Sequence, residues 1–431
     1  MMFPRIGVLG LTLCHLALAQ TPPAPLTLTL DDALARARTN SPQIIAANIA
    51  ALLAREDTLQ AKAALLPNAN GFSQFIYTQP NGLPSGIFVA NDGVHVYVNQ
   101  VIVHGDIYAP AKLADYHKSQ LAEAVAKAKA EIAARGLVAV VVEDYYTMVS
   151  AGRKLANGRQ SLAEVQQFLD ITQKQERGGE VAHSDTVLAQ VLQLQRQRDL
   201  QEAQLALDKA RLAFAVLLFP DFRQDFALVD DLDSARELPA FDQIQGMASR
   251  NSPDIRAAEA TVQQQTFELK SVRAERLPSL SFDYYYGMYA NQFALNDREG
   301  RGNLGSQAQA QLNIPLWTWG AAKSKVRQAE LQLRQARSDL SLTQRQLLAN
   351  LHSYYLESEA AGGQVASLRQ SMELSALSLR LTMLRYQGGE SSVLEVKDAQ
   401  TTLTEARNAL DDGLVRYRLA LANLQTLTGA F

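Results

Sequence analysis

The feature that most constrains this chain is that it repeats itself. Asn40-Ser41-Pro42 returns as Asn251-Ser252-Pro253, and Leu66-Pro67 returns as Leu277-Pro278. Tyr145-Tyr146 is matched by Tyr354-Tyr355, Gly178-Gly179-Glu180 by Gly388-Gly389-Glu390, and Ala189-Gln190 by Ala399-Gln400. The pairs keep one order, and the offset between copies stays between 209 and 211. Each match is short, but their order and near-constant spacing define a duplicated unit, with a first repeat at 20–238 and a second at 239–431.

Each half carries the same succession of patterns. In the first, a helix is expected from about Leu30 to Leu66, then two strands at 71–79 and 94–103. A long helix over 109–176, a Gly-Gly turn and a helix over 184–218 complete the unit. The second half reads as a helix at 240–276, strands at 279–289 and 306–316, a long helix at 321–386 and a helix at 391–428. A helix of nearly 70 residues is on the order of 100 Å long at 1.5 Å per residue. Uninterrupted helices of that length point to a coiled coil.

The last helix carries the coiled-coil signature. Val396, Leu403, Leu410, Tyr417 and Leu424 follow one another at seven-residue intervals. Ala399, Ala406, Gly413, Ala420 and Leu427 form a second series three positions on. Large knobs beside small residues make a seam that lets a neighbouring helix approach closely. An ordinary amphipathic helix would drift off a strict heptad over this distance. The first copy agrees through Leu200, Leu207 and Phe214 beside Ala203, Ala210 and Leu217, although Gln193 and Arg196 interrupt it.

The strand-like segments alternate. Leu280, Phe282, Tyr284, Tyr286 and Met288 occupy one face, with Ser281, Asp283, Tyr285 and Gly287 on the other. Gln307, Gln309, Gln311 and Asn313 alternate with Ala308, Ala310, Leu312 and Ile314. In the first half Val94, Val96 and Val98 are read as the apolar face against His95, Tyr97 and Asn99. Segments of about ten residues, apolar on one side and polar on the other, suit membrane β-strands. The polar, Gly-containing stretches Pro80 to Gly93 and Ala290 to Gly305 suit exposed loops. Four strands per chain leave an open sheet, whose edges are not tolerated in lipid, so several copies must close a barrel. Two chains would give an eight-stranded barrel filled by its own side chains, so an open channel needs at least three.

The N-terminus reads as an export signal over residues 1–19. Arg5 precedes an apolar run from Ile6 to Leu18, Ala17-Leu18-Ala19 offers a small-x-small cleavage site, and Pro22, Pro23 and Pro25 follow. The single cysteine, Cys14, lies inside that run. Leu13 stands where a lipoprotein signal has Gly or Ala, so lipidation is not expected, and cleavage would leave no thiol for a disulfide or metal site. No later stretch reaches 18 apolar residues, so no transmembrane helix is expected. A net charge of −3 excludes a general nucleic-acid binder. No catalytic constellation, cofactor motif or metal site emerges: the six histidines are scattered, and no Gly-rich loop joins a strand to a helix. His95 and His104 flank a strand, but without a third ligand they read as polar lumen or interface residues.

Taken together, the repeat, the strand pairs, the Gly-Gly turns and the final heptads resemble the TolC-like outer-membrane efflux protein family across essentially the whole mature chain. The most specific segment is Tyr386-x-x-Gly389 followed by Leu394-Glu395-Val396-x-Asp398-Ala399-Gln400; the Asn-Ser-Pro pair and Pro315-Leu316-Trp317-Thr318-Trp319-Gly320 add to it. The resemblance implies a mainly α protein with a membrane β-barrel part. Three chains would close twelve strands in the outer membrane over a helical cylinder in the periplasm. It also implies a periplasmic adaptor and an inner-membrane pump as partners, outer-membrane lipid as surroundings, and no enzyme activity and no cofactor.

The resemblance places an entrance constriction at Glu395, Asp398, Asp185 and Tyr386. Glu395 and Asp398 are three apart on one helix and can face one side. Three copies would gather about six carboxylates and raise their pKa values by repulsion. Asp185 and Tyr386 match residues that link neighbouring helices when the family's channels are closed. Ser391 departs from the basic latch residue of some members. Gly178, Gly179, Gly388 and Gly389 are expected at the adaptor-docking tips, where paired glycines allow positive backbone angles. The competing reading is a soluble periplasmic coiled-coil adaptor or scaffolding protein, which explains the helices but not the apolar strand faces.

Overall fold

The computed structural model of the chain describes residues 26–78, 95–234 and 238–429. The expected leader at 1–19, Cys14 and the connection from Pro80 to Gly93 lie outside the described residues. In chain order the first half holds β1 (Leu26–Leu28), α1 (Leu30–Asn40), α2 (Pro42–Ala63), β2 (Asn68–Tyr77), β3 (His95–Tyr108), α3 (Pro110–Arg177) and α4 (His183–Leu218). The second holds β4 (Phe226–Leu228), α5 (Phe241–Asn251), α6 (Pro253–Ala274), β5 (Ser279–Ala290), β6 (Leu304–Asn313), α7 (Ala321–Gln387) and α8 (Val393–Thr428). No helix among the described residues is long and apolar enough to cross a membrane.

Where one helix was expected from Leu30 to Leu66, and another over 240–276, each is two. Ser41 and Ser252 break them, both with ψ 117°. Proline disfavours the helical region for the residue before it, and its own fixed φ suits the first helical position. The repeated Asn-Ser-Pro thus has a role for each residue. The side-chain amide of Asn40 donates to the Leu218 carbonyl at 2.6 Å, and that of Asn251 to the Thr428 carbonyl at 3.2 Å. In each half the asparagine caps the last carbonyl of the final helix, the serine turns, and the proline starts the next helix.

The helices pair as their seams require. In α8, Val396, Leu403, Ala406, Ala420 and Leu424 are buried. Gly413 lies so close to α7 that a Cβ there would sit 2.4 Å from Leu368 Cδ1. A second stripe of α8 is buried as well: Gln400, Asp411, Leu414, Arg418 and Leu421. It meets α3 through a polar ladder. Ser161 and Thr404 hydroxyls lie 3.3 Å apart, Arg407 reaches Glu164 at 3.0 Å, and the Asn157 amide donates to Asp411 at 2.9 Å. The two helical pairs, α3 with α4 and α7 with α8, thus meet through hydrogen bonds as well as through shared apolar clusters.

Around the waist, Tyr145, Tyr146, Phe214, Leu218 and Phe226 form the largest buried cluster. The Tyr145 hydroxyl donates to the Val229 carbonyl at 2.6 Å. The connector between the halves is tied down by strands and by arginines. β1 pairs in parallel with β4, and Arg153 reaches Asp230 (2.5 Å), Asp233 (2.7 Å) and Asp411 (3.2 Å). Arg418, only 3% exposed, donates to the carbonyls of Asp231 at 2.5 Å and Ser234 at 2.8 Å.

The other four strands form one antiparallel sheet in the order β2-β3-β5-β6. Register settles the faces, because directly paired residues share a side. Phe75 pairs with Tyr97, Val101 with Tyr286, and Tyr284 with Ala308. Gln74 pairs with Val98, His104 with Asp283, and Asp283 with Gln309. One face is therefore rich in Tyr, Phe, Ala and Leu, and the other in Gln, Asn and His104–Asp283, whose Nδ1 and Oδ1 lie 2.7 Å apart. This corrects the reading of β3. Val96 and Val98 belong to the glutamine face, while His95, Tyr97 and Asn99 join the aromatic one. Beyond Asn99 the apolar positions Val101 and Val103 return to the aromatic face, so the strand's apolar residues change sides although its period of two does not.

Arg418→Ala should free the connector by leaving two carbonyls without their donor, at a cost of about 1–3 kcal/mol. Limited proteolysis should then cut near Asp231 earlier than in the parent, with the sheet intact.

Candidate functional site

The ends of the long helices farthest from the sheet are two equivalent turns. In the first, the Gly179 N–H donates to the Glu176 carbonyl and the Glu180 N–H to the Gln175 carbonyl, both at 2.9 Å. In the second, Gly389 donates to Tyr386 (3.1 Å) and Glu390 to Arg385 (2.8 Å). These are Schellman closures, which need one left-handed residue just past the helix. Gly179 (φ 76°) and Gly389 (φ 78°) supply it. Gly178 and Gly388 keep right-handed helical angles, with φ −76° and −83°. Only the second glycine of each pair is conformationally required, which narrows the sequence expectation.

Tyr386 links neighbouring helices within the chain. It is buried with Phe168, Leu169, Ala189, Val393 and Val396, and its ring meets Phe168 edge-on at 5.1 Å. Its hydroxyl donates to Thr172 Oγ1 at 3.0 Å, and Thr172 donates to the Phe168 carbonyl at 3.0 Å. It joins α7 to α3 inside one chain, a link between neighbouring helices. Burial pushes the Tyr386 hydroxyl above its ordinary pKa, and the nearby Asp185 carboxylate adds to the rise while the Thr172 hydrogen bond opposes it. Gln175 completes the junction by donating to the Tyr386 carbonyl at 3.3 Å.

Glu395 stands exposed in the first turn of α8. Ser391 Oγ donates to it at 2.7 Å and Ser392 Oγ at 3.3 Å, and Arg385 Nη1 lies 3.8 Å away. The Ser391 hydrogen bond holds its carboxyl below the usual glutamate range, helped by the Ser392 backbone N–H and the Arg385 charge. Within one chain this is opposite to the rise expected from a carboxylate ring. Ser391 is here a partner of Glu395, and Arg385, which also donates to the Glu390 carbonyl at 3.0 Å, is the cation beside it. Asp398 is exposed one turn on, and Asp185 is half-buried in the first turn of α4. Sequence reasoning missed Arg385, Thr172 and Gln175, since no spacing rule connects residues across a helical reversal. Among the described residues no cluster of three or more His, Cys, Asp or Glu side chains is arranged to hold a metal.

The same fold occurs in known proteins. A membrane protein of Pseudomonas aeruginosa superposes with a TM-score of 0.84 at 19% identity, over 93% of this chain and 90% of the other. The outer-membrane channel OprN superposes at 0.82 with 16% identity and the same two coverages. In sequence, the outer membrane protein TolC of Vibrio cholerae serotype O1 is 22% identical over 412 residues, 91% of this chain and 89% of that one. Residues 245–430 match the model of the outer membrane efflux protein family. Over that segment the chain resembles this family.

The matched family model and the TolC relative are by name outer membrane proteins. The family's members are channels and not enzymes. The segment 245–430 holds α6, β5, β6, α7 and α8 whole, and so includes the second tip with Arg385, Tyr386, Gly389 and Glu395. The outer-membrane relatives and the four-stranded sheet with its aromatic face both weigh against the soluble adaptor reading.

Gly179→Val and Gly389→Val should each destabilise a tip by about 1–2 kcal/mol, the cost of a left-handed β-branched residue. Gly178→Ala should be tolerated, since its φ is ordinary and an added Cβ would meet only Gln175 O at 3.4 Å. Hydrogen exchange at Glu180 and Glu390 distinguishes these: faster exchange is expected in the valine variants only.

Proposed function

We propose that three copies of this chain form one continuous conduit across the outer membrane and the periplasm. Each would give four strands to a twelve-stranded barrel and four helical stretches to a cylinder beneath it. The observation that carries this is the open sheet: β2 and β6 are its edges, and each has a neighbour on one side only. In hydrocarbon every backbone N–H and C=O must be paired within protein, so a spanning sheet closes on further copies. The aromatic face would meet lipid and the glutamine face would line water. The helices fit the same requirement, with Ile49, Leu52 and Leu53 of α2 and Leu331 and Leu342 of α7 exposed on single chains.

Cargo would enter at the tips, delivered by an inner-membrane pump through a periplasmic adaptor that docks at Gly178-Gly179 and Gly388-Gly389. Transport needs no catalytic group here, because the energy is supplied upstream. Glu395 and Asp398, with Asp185 from the first half, would ring the entrance, so about six carboxylates from the first two would draw cations to the axis.

The test is conductance in a planar bilayer. The reconstituted protein should prefer cations and be blocked by multivalent cations from the periplasmic side. The Glu395→Ala, Asp398→Ala double variant should lose both properties at an unchanged assembly yield. Unaltered selectivity and block would place the constriction elsewhere.

The pH dependence has a definite sign. Ser391 lowers the Glu395 pKa in the folded chain. Its hydrogen bond therefore stabilises the fold above the ordinary glutamate value of about 4.3, and that contribution is lost as pH falls through the lowered value. Ser391→Ala removes the first cause of the lowering, so block should be relieved at a higher pH than in the parent. An unmoved relief curve would show that the Ser391 contact does not persist in the assembled channel.

A further inference from the structure

Arg196, which interrupts the apolar seam of α4, is only 8% exposed. A guanidinium taken out of water has to be paired, because its charge and its donors are otherwise unsolvated. Two of its three nitrogens are answered. Nη1 reaches Asp199 Oδ2 at 3.0 Å, and Nη2 donates to Thr401 Oγ1 on α8 at 3.2 Å. The Nε–H is buried as well and finds no acceptor in the chain. At this heptad position apolar packing is given up for a donor that the chain itself leaves unanswered.

The guanidinium lies in a groove of about 850 Å³ between α4 and α8. That volume is in the range of sites for drug-sized molecules. Ala203, Ala206 and Ala210 give its α4 wall an apolar stretch. The charges that line it do not cancel. Asp199 is paired with Arg196, and Asp412 with Lys154 at 2.7 Å. Glu202 on α4 and Glu405 on α8 are exposed, and among the described residues neither has an ion-pair or hydrogen-bond partner. Four carboxylates against two cations leave two negative charges, one on each wall.

The groove also has a definite side. Thr147, Ala151 and Lys154 of α3 floor it, while Val149, Gly152 and Ala156, about half a turn around the helix, face the connector strand β4. In the conduit proposed above the connector lies outside the cylinder, because inside it would fill the bore. The groove then opens on the bore.

We propose that the α4–α8 groove binds an organic cation that also carries an oxygen acceptor. Glu202 and Glu405 hold the charge, the alanines take the apolar body, and the Arg196 Nε–H meets the oxygen. That cargo passes this site rests on the conduit reading. The binding does not, because one chain supplies every residue of the groove.

Rhodamine 6G, a delocalised cation with an ester carbonyl, is the probe. Its fluorescence anisotropy is titrated with the full-length protein in mild detergent, in the Glu395→Ala, Asp398→Ala background that removes the acidic residues of the tip. Saturable binding is expected, and Glu202→Gln, Glu405→Gln should weaken it about tenfold, the loss of two charge contacts. Arg196→Lys keeps the charge but not the Nε–H, and should weaken it about fivefold. Glu359→Gln, Glu373→Gln changes the net charge equally on exposed α7 positions away from the groove, and should leave binding unchanged. Equal weakening by both glutamine pairs would reduce the effect to bulk charge and overturn the site. So would equal binding of sulforhodamine B, which has the same ring system with an anionic charge. Unaltered affinity in Arg196→Lys would overturn the role of its donor. Saturable dye binding without bilayer conductance keeps the groove and sinks the conduit; conductance without saturable dye binding does the reverse.

Discussion

The constraint on which the rest of this structure depends is the hydrogen-bonding capacity of a strand edge. β3 and β5 have neighbours on both sides; β2 and β6 have one each. In water such an edge is solvated, and a protein blunts it with charge or covers it. Here β2 and β6 are fully extended, ten residues each, and carry no Lys, Arg, Asp or Glu. An uncharged edge of this length is a surface awaiting another strand, and lipid makes that demand absolute. The alternation of aromatic and glutamine faces then assigns one side to lipid and the other to water.

The helical part is held together in two different ways. Apolar heptads bind α7 to α8, and Gly413 lets them approach closely. The α3–α8 boundary is instead a ladder of Ser161–Thr404, Glu164–Arg407 and Asn157–Asp411. Buried hydrogen bonds are costly to leave unmade but can be exchanged for new partners or water, whereas an apolar seam is lost whenever it separates. At the tip, Tyr386 and Gln175 join α7 to α3, a further contact between the two pairs.

Much of this architecture was legible in the sequence, for physical reasons that can be named. The Asn-Ser-Pro pair announced the repeat because each residue has a backbone task that its neighbours cannot perform. The heptads of α8 were legible because apolar spacing is read directly from the chain. The second buried stripe of α8 was not, since Asp411 and Arg418 look like solvated positions until α3 and the connector supply their partners. The faces of β3 were misread because the strand's valines change sides midway, and only pairing with Gln74 and Tyr289 reveals it. At the tip, the left-handed glycine was anticipated but not which of each pair would adopt it. Tyr386 was recognised as a helix-linking residue, but its partners Thr172 and Phe168 were not legible, because they lie on another helix more than 200 residues away in the chain.

The central claim is that one chain leaves a membrane sheet unclosed and that three close it. The most direct test is the mass of the protein purified from outer membrane in mild detergent, measured with the detergent contribution resolved. The account predicts three chains per particle, with no folded species of lower order. A stable, folded monomer retaining the β2-β3-β5-β6 sheet in a membrane environment would contradict it, because its two edge strands would then be held open in the one solvent that cannot pair them.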